Sequence, residues 1–410
     1  GSQNTAVGYN SFYENTTGQY CTALGSRALL NSTTADNNTA VGTDCAMNVT
    51  TGADNTAVGA YALDAVTTGS YNTAVGARAL SATTGSGSCA VGEDALMTVA
   101  AGTQNIAMGQ SAMRLLTTGN YNIAIGANTL AASAGFSSNT AVGQAALNAC
   151  EVNNNSAFGF NALLSNSTGT QNNAFGAYAL DANTTGSQSN AFGYLALSNS
   201  NGSYNNAFGQ QALEDNTTGT HNAAFGHDTL RENTTASYNT AFGSGSLAAV
   251  TTSSANTAIG YQALKSNSTG GNNTAVGHKA FEDLSTGSHC VAVGHDCAKN
   301  ATTGGSTTAM GVDCLSSLTT GSGNTAFGRL CGSDVSTGTD NVFLGQQAGR
   351  SQGNLTQNLF IARDNTGSGS ASTWIYGNSS GACYQGNNST TWSTTSDVRL
   401  KKNIVDSPKG

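Results

Sequence analysis

Apolar and polar positions recur along this chain on a fixed period longer than that of a helix or a strand. The stretch TTGSYNTAVGARAL (Thr67–Leu80) has near-copies in TTGQYCTALGSRAL, TTGNYNIAIGANTL and TTGTHNAAFGHDTL. We took as an anchor the glycine that closes each Asn-Thr-Ala-Val-Gly unit. There are 21 anchors, from Gly8 to Gly345; seventeen steps between them are 17 residues and three are 16, with single deletions before Gly92, Gly159 and Gly209. Two residues before the anchor stands Ala in 20 of 21 copies, Phe343 being the exception. The residue just before the anchor is always apolar, as in Val7, Leu24, Met108, Ile125 and Phe158. Asn stands four before it in 16 copies, a small residue three after it in all, usually Leu four after it, and Gly ten after it in 13.

A 17-residue period is too short for ankyrin, propeller or leucine-rich units and fits one coil of a β-solenoid. The expected fold is all-β: about 21 coils of 17 residues. NTAVG reads as a short strand, and the segment around the Leu column as a second one. The anchor Gly ends the first strand where φ is positive or the backbone is crowded. Thr-Thr-Gly makes the return turn, with Asn153 in the same column. Neighbouring strand residues point to opposite faces. The apolar column and the Leu column are expected to fill the interior, and the Ala column to face something that comes very close. The run Phe158, Phe175, Phe192, Phe208, Phe225 and Phe242 reads as a stacked core ladder, each buried ring contributing about 1.5–3 kcal/mol. The Asn column reads as an internal amide ladder. At about 4.8 Å per coil the array predicts a rod of roughly 100 Å. So thin a coil with an Ala face predicts a homo-oligomer, a parallel homotrimer with Ala at the subunit contact, and capped ends.

Composition changes this picture little. Among 410 residues there are 52 Gly and 1 Pro, and only 9% are charged, where about 25% is ordinary. Strict apolar spacing argues against low-complexity disorder. The net charge of −8 argues against a nucleic-acid partner, and no run of about 20 apolar residues exists to insert into a membrane. The chain opens in mid-repeat at Gly1-Ser2-Gln3-Asn4, which is expected of a fragment or processed product.

The repeats give out near Gly349, so residues 1–349 are expected to form the shaft. Residues 350–395 read as a small β-rich junction holding both tryptophans, Trp374 and Trp392. Residues 396–410 open with SDVRLKKNI, where charge concentrates. That motif resembles the start of the endosialidase-type intramolecular chaperone that ends phage tail fibres and tailspikes, and the upstream NTAVGxxAL units resemble the repeats that precede it. The resemblance covers nearly all of the chain. It implies a trimeric, adhesive fibre in a virion tail or extracellular setting, bound to other tail proteins and to a host receptor or glycan. It also implies a chaperone that assembles the trimer and then cuts itself off. Carried over, Ser396 is the nucleophile, Lys401 its partner, and Thr395–Ser396 the bond cut. A lysine with a lowered pKa suits such a base role. The body of that chaperone would lie beyond the 14 residues that follow Ser396.

Other chemistry is weaker. Nine cysteines occur, with Cys297, Cys314 and Cys331 in one column and Cys21 and Cys290 replacing the column Asn. Buried small filler is favoured over a disulfide or metal role. His227, His278 and His295 each follow an anchor. On a three-fold axis such a column could hold a metal ion, but exposed polar positions are favoured, and no metal or cofactor is expected. No recurrent carboxylate pair suggests glycan hydrolysis, so no turnover of external substrates is expected beyond that one self-cleavage. Two alternatives stand beside the fibre. A trimeric autotransporter-like surface adhesin shares the repeat loosely. An ice-binding solenoid would want Thr-x-Thr strands, whereas Thr-Thr here sits at turns.

Overall fold

The computed structural model describes residues 1–82, 84–98, 101–132, 134–351, 353–363 and 373–385. They fall into two compact units, Gly1–Asn272 and Asn273–Gly410. The fold is an all-β solenoid of 21 turns with roughly 17 residues per turn, and no helix occurs among the described residues. The first unit holds sixteen three-residue strands, β1 (Thr5–Val7) to β16 (Thr257–Ile259). Within this unit consecutive strands pair in parallel and in register, as in Thr5 with Thr22, Ala6 with Ala23 and Val7 with Leu24. The second unit holds five more, β17 (Thr274–Val276) to β21 (Val342–Leu344). There β22 (Leu359–Ala362) adds a further parallel rung, pairing Phe343 with Phe360. The antiparallel β23 (Thr373–Gly377) and β24 (Cys383–Gln385) then follow.

The strands face the other way from the sequence expectation. In a typical strand such as β5 (Thr73–Val75), Ala74 is fully buried while Thr73 and Val75 face outward. The Ala column therefore lines the interior, and the Val/Phe column does not. The reason is the width of the coil. The small residue three after the anchor reaches straight across to the Ala carbonyl of the next coil, as when the Cys45 thiol donates to the Ala57 oxygen at 3.2 Å and the Ser11 hydroxyl to the Ala23 oxygen at 3.0 Å. No larger side chain fits between walls that close. The one departure supports this. Phe343 takes an Ala position, and glycine replaces the Leu column at Gly332 and Gly349 on either side of its ring. A Cβ on Gly332 would lie 3.1 Å from that ring, and one on Gly349 would overlap it.

The Leu column is interior as expected, but it is not a strand. Leu63 and Leu180 have φ of 52° and 53°, in the left-handed region. In the coil around Gly59, Asp54 and Tyr61 are left-handed as well. The turns still hydrogen-bond coil to coil, with the Leu63 N–H donating to the Ala79 oxygen at 3.0 Å and Ala65 N–H to the Ser81 oxygen at 2.8 Å. A left-handed leucine costs about 1–2 kcal/mol. Full burial of its side chain returns about 1.5–3 kcal/mol.

Interior amides of the Asn column are largely matched along the stack: typically the Asn oxygen accepts from the backbone N–H of the next column residue and its amide donates to a turn carbonyl. Asn55 N–H donates to Asn38 Oδ1 at 2.9 Å, and Asn38 Nδ2 to the Gly52 oxygen at 2.8 Å. The Thr-Thr-Gly glycines lack left-handed φ; Gly52 is glycine because a Cβ would run into the Gly69 carbonyl.

Candidate functional site

The outward strand face is the most extended feature of the surface. Two columns line it. One runs Thr5, Thr22, Thr39, Thr56 and Thr73, and further along Asn173, Asn190 and Asn206. The other is the apolar column, unbroken over the sixteen coils of the first unit from Val7 to Ile259. Its members are half-buried or exposed, with Val7 at 57%, Met108 at 42% and Phe242 at 56%. Six successive rings, Phe158 to Phe242, stack at 4.6, 4.7, 4.6, 4.8 and 5.3 Å between centroids. The stacked ladder expected from sequence exists, but it is on the outside. Its position is one outward residue away from the buried alanine, so each ring keeps one edge toward solvent. Beside it, Asn173 donates to Asn190 at 2.8 Å and Asn190 to Asn206 at 2.7 Å.

A second exposed stack joins Tyr204, His221 and Tyr238 at 4.8 and 5.1 Å. A groove in the same unit opens over Gly245, where the column two after the anchor has no side chain; Asp228, Arg231, Tyr261, Gln262 and Lys265 line it. Compared with known proteins, the chain matches no family model and no curated protein. No helix among the described residues is long and apolar enough to cross a membrane.

The residues singled out by sequence fare unequally. Ser396, Lys401 and the bond at Thr395–Ser396 lie outside the described residues. Cys297, Cys314 and Cys331 are buried and free, each thiol donating to a backbone oxygen of the next coil at 3.3–3.5 Å. Burial pushes the Cys45 thiol up to about 12 and Cys150 up to about 11. A hydrogen bond to Cys314, then burial, pushes Cys297 higher still. Such thiols are poor nucleophiles. In the native protein a thiol reagent is expected to label the exposed Cys383 first and the half-buried Cys89 next; the seven buried cysteines should react only after denaturation. Mass spectrometry of labelled peptides checks this, and rapid native labelling of Cys297 would contradict it. The raised thiols also carry a sign. Unfolded thiols ionise near 9 while Cys45 holds its proton to about 12, so stability from this group is present below pH 9 and is lost as pH rises toward 12.

His227 is exposed beside Asp228, with Nδ1 3.1 Å from its carboxylate. A second interior amide ladder went unread in the sequence. It runs through Asn166 and Asn183 at 3.0 Å, and through Asn216 and Asn233 at 2.7 Å. Its signal is an Asn three before the turn position, which is glycine after Asn166, Asn183 and Asn216 and Ala236 after Asn233.

Proposed function

We propose that the chain is the shaft of a trimeric adhesive fibre whose subunits meet along the outward apolar column. The observation that carries this reading is the unbroken run of partly exposed Val, Ile, Met and Phe side chains over sixteen successive coils. So long an exposed apolar stripe is unusual for a protein that stays alone in water. Its partner must present apolar groups at the same coil-to-coil step, and a parallel second copy of this chain does so throughout. The stripe is one residue wide and flanked by Thr and Asn, so three copies around an axis cover each column from both sides. The fibre reading assigns receptor or glycan contact to surfaces away from that axis. It assigns release of a downstream chaperone to Ser396 and Lys401. A bacterial surface adhesin would use the same shaft.

The test is a paired substitution, Phe192→Asp with Phe208→Asp. Both rings point out of the coil, so the circular dichroism of the strands is expected to persist while the assembly falls to single chains. An unchanged mass with both aspartates present would refute the contact along this column.

One observation favours a second reading. Thr5 to Thr73 stand outward on five successive strands, next to Val or Leu, so threonine is not confined to turns. A regular Thr/Val plane is the kind of surface an ice-binding solenoid presents, and thermal hysteresis of a monomeric solution would favour that reading over the fibre.

A further inference from the structure

The two histidines His278 and His295 occupy the same column in successive coils of the second unit, one residue past Gly277 and Gly294. In-register pairing of β17 with β18 (Val291–Val293) places them side by side. Their rings stack with centroids 4.7 Å apart and planes within 8°. Asp296 follows His295 directly, and its backbone N–H donates to the His278 carbonyl at 2.9 Å. That bond fixes the carboxylate beside both rings. Asp296 Oδ1 lies 3.4 Å from His278 Nδ1 and 3.6 Å from His295 Nδ1. One ligand atom from each residue falls within 4.8 Å of the others.

We propose that His278, His295 and Asp296 form a binding site for a borderline divalent transition-metal ion of the zinc class, held within one chain across two successive coils. The donor set carries the first part of the argument. Two imidazoles and one carboxylate suit zinc, nickel, cobalt or copper, and are too nitrogen-rich for magnesium or calcium. The spacing carries the second. Metal–nitrogen and metal–oxygen bonds of about 2.0–2.1 Å at a tetrahedral angle leave ligand atoms about 3.3–3.4 Å apart. The two Asp296-to-histidine separations already stand at 3.4 and 3.6 Å. Only the two imidazole nitrogens have to close toward each other. Both rings are about half exposed, with side-chain exposures of 43% and 56%, and so are open to an ion from solvent. The nearby lysine does not compete: Lys279 Nζ is turned to Glu282 at 3.2 Å. A fourth position open to water completes the coordination.

The sequence alone favoured exposed polar positions for this histidine column. What the spacing of 17 could not show is that the aspartate of the neighbouring column converges on both rings. His227 lacks this arrangement. Its column neighbours Gln210 and Ser244 supply no second imidazole, although it too has an adjacent carboxylate.

The inference does not depend on the fibre reading, because all three ligands come from one chain. The test is calorimetric titration of the full chain with zinc chloride at pH 7.5. The expected result is one ion bound per chain, with at least tenfold weaker binding in each of His278→Ala and Asp296→Asn and no change in His227→Ala. Lowering the pH to 5.5 should release the ion as the imidazoles protonate. All three substituted side chains are at the surface, and an unchanged circular dichroism spectrum verifies the fold. Absence of zinc uptake by the parent chain, or uptake that persists undiminished in His278→Ala, would overturn the site.

Discussion

Replacing Gly176 by alanine is expected to lower the stability of the first unit by about 3–5 kcal/mol. Two causes add. Gly176 has φ of 143°, a conformation in which a side chain is strained whatever the space around it. A Cβ there would also press on the backbone of the next coil, at the Gly193 carbonyl carbon and oxygen. Backbone atoms in an in-register ladder cannot move aside without breaking the rungs on both sides. Gly245 provides the comparison. It is left-handed at φ 68°, but a Cβ would meet only the flexible Gln262 side chain at 3.5 Å. Gly245→Ala should therefore cost only about 1 kcal/mol, the usual left-handed penalty. Urea unfolding of both variants, followed by circular dichroism, separates the two cases. Equal losses would mean that the crowding at the anchor is not what fixes glycine there.

Asn205→Ala is expected to cost about 2–4 kcal/mol. The Asn205 amide donates to the Gly219 oxygen at 2.7 Å and to the Gly202 oxygen at 3.1 Å, and its oxygen accepts from the Asn222 N–H at 3.0 Å. Removing the side chain leaves buried backbone groups of two coils without these partners, in a site closed to water. The next residue is the control. Asn206 faces outward and accepts from Asn190 at 2.7 Å, where water can replace the lost amide. Asn206→Ala should cost less than about 1 kcal/mol. Thermal unfolding of the pair checks the ranking, and a larger loss at Asn206 than at Asn205 would reverse the assignment of inside and outside.

The period, the number of coils, the strand before each anchor and the amide ladder were legible in the sequence for one reason. In a parallel in-register stack, residues one period apart are direct neighbours, so every column of the sequence is a column of the structure. Which face is interior was not legible. Val and Phe are more apolar than Ala, and transfer free energy alone puts them inside. The decisive quantity is the distance between opposite walls, set by Cys45, Ser11 and their column meeting the Ala carbonyl. That distance is absent from a single-coil reading. The left-handed leucines were also hidden, because leucine rarely adopts that conformation and gives no composition signal when it does. Phe343 was visible as an exception, and its explanation was in the sequence too, at Gly332 and Gly349, had volume been compared across columns. The metal-binding triad was half legible: the 17-residue spacing of His278 and His295 was plain, while the convergence of Asp296 on both rings depends on the turn geometry after the anchor.

The central claim is that the outward apolar column is an interface between copies of this chain. The mass of the assembled protein in solution, by sedimentation equilibrium or light scattering, tests it most directly against the 41.0 kDa chain. The account predicts about three times that mass, unchanged on dilution through the micromolar range. A single-chain mass at those concentrations would contradict it and leave the Val/Phe column without the partner proposed for it.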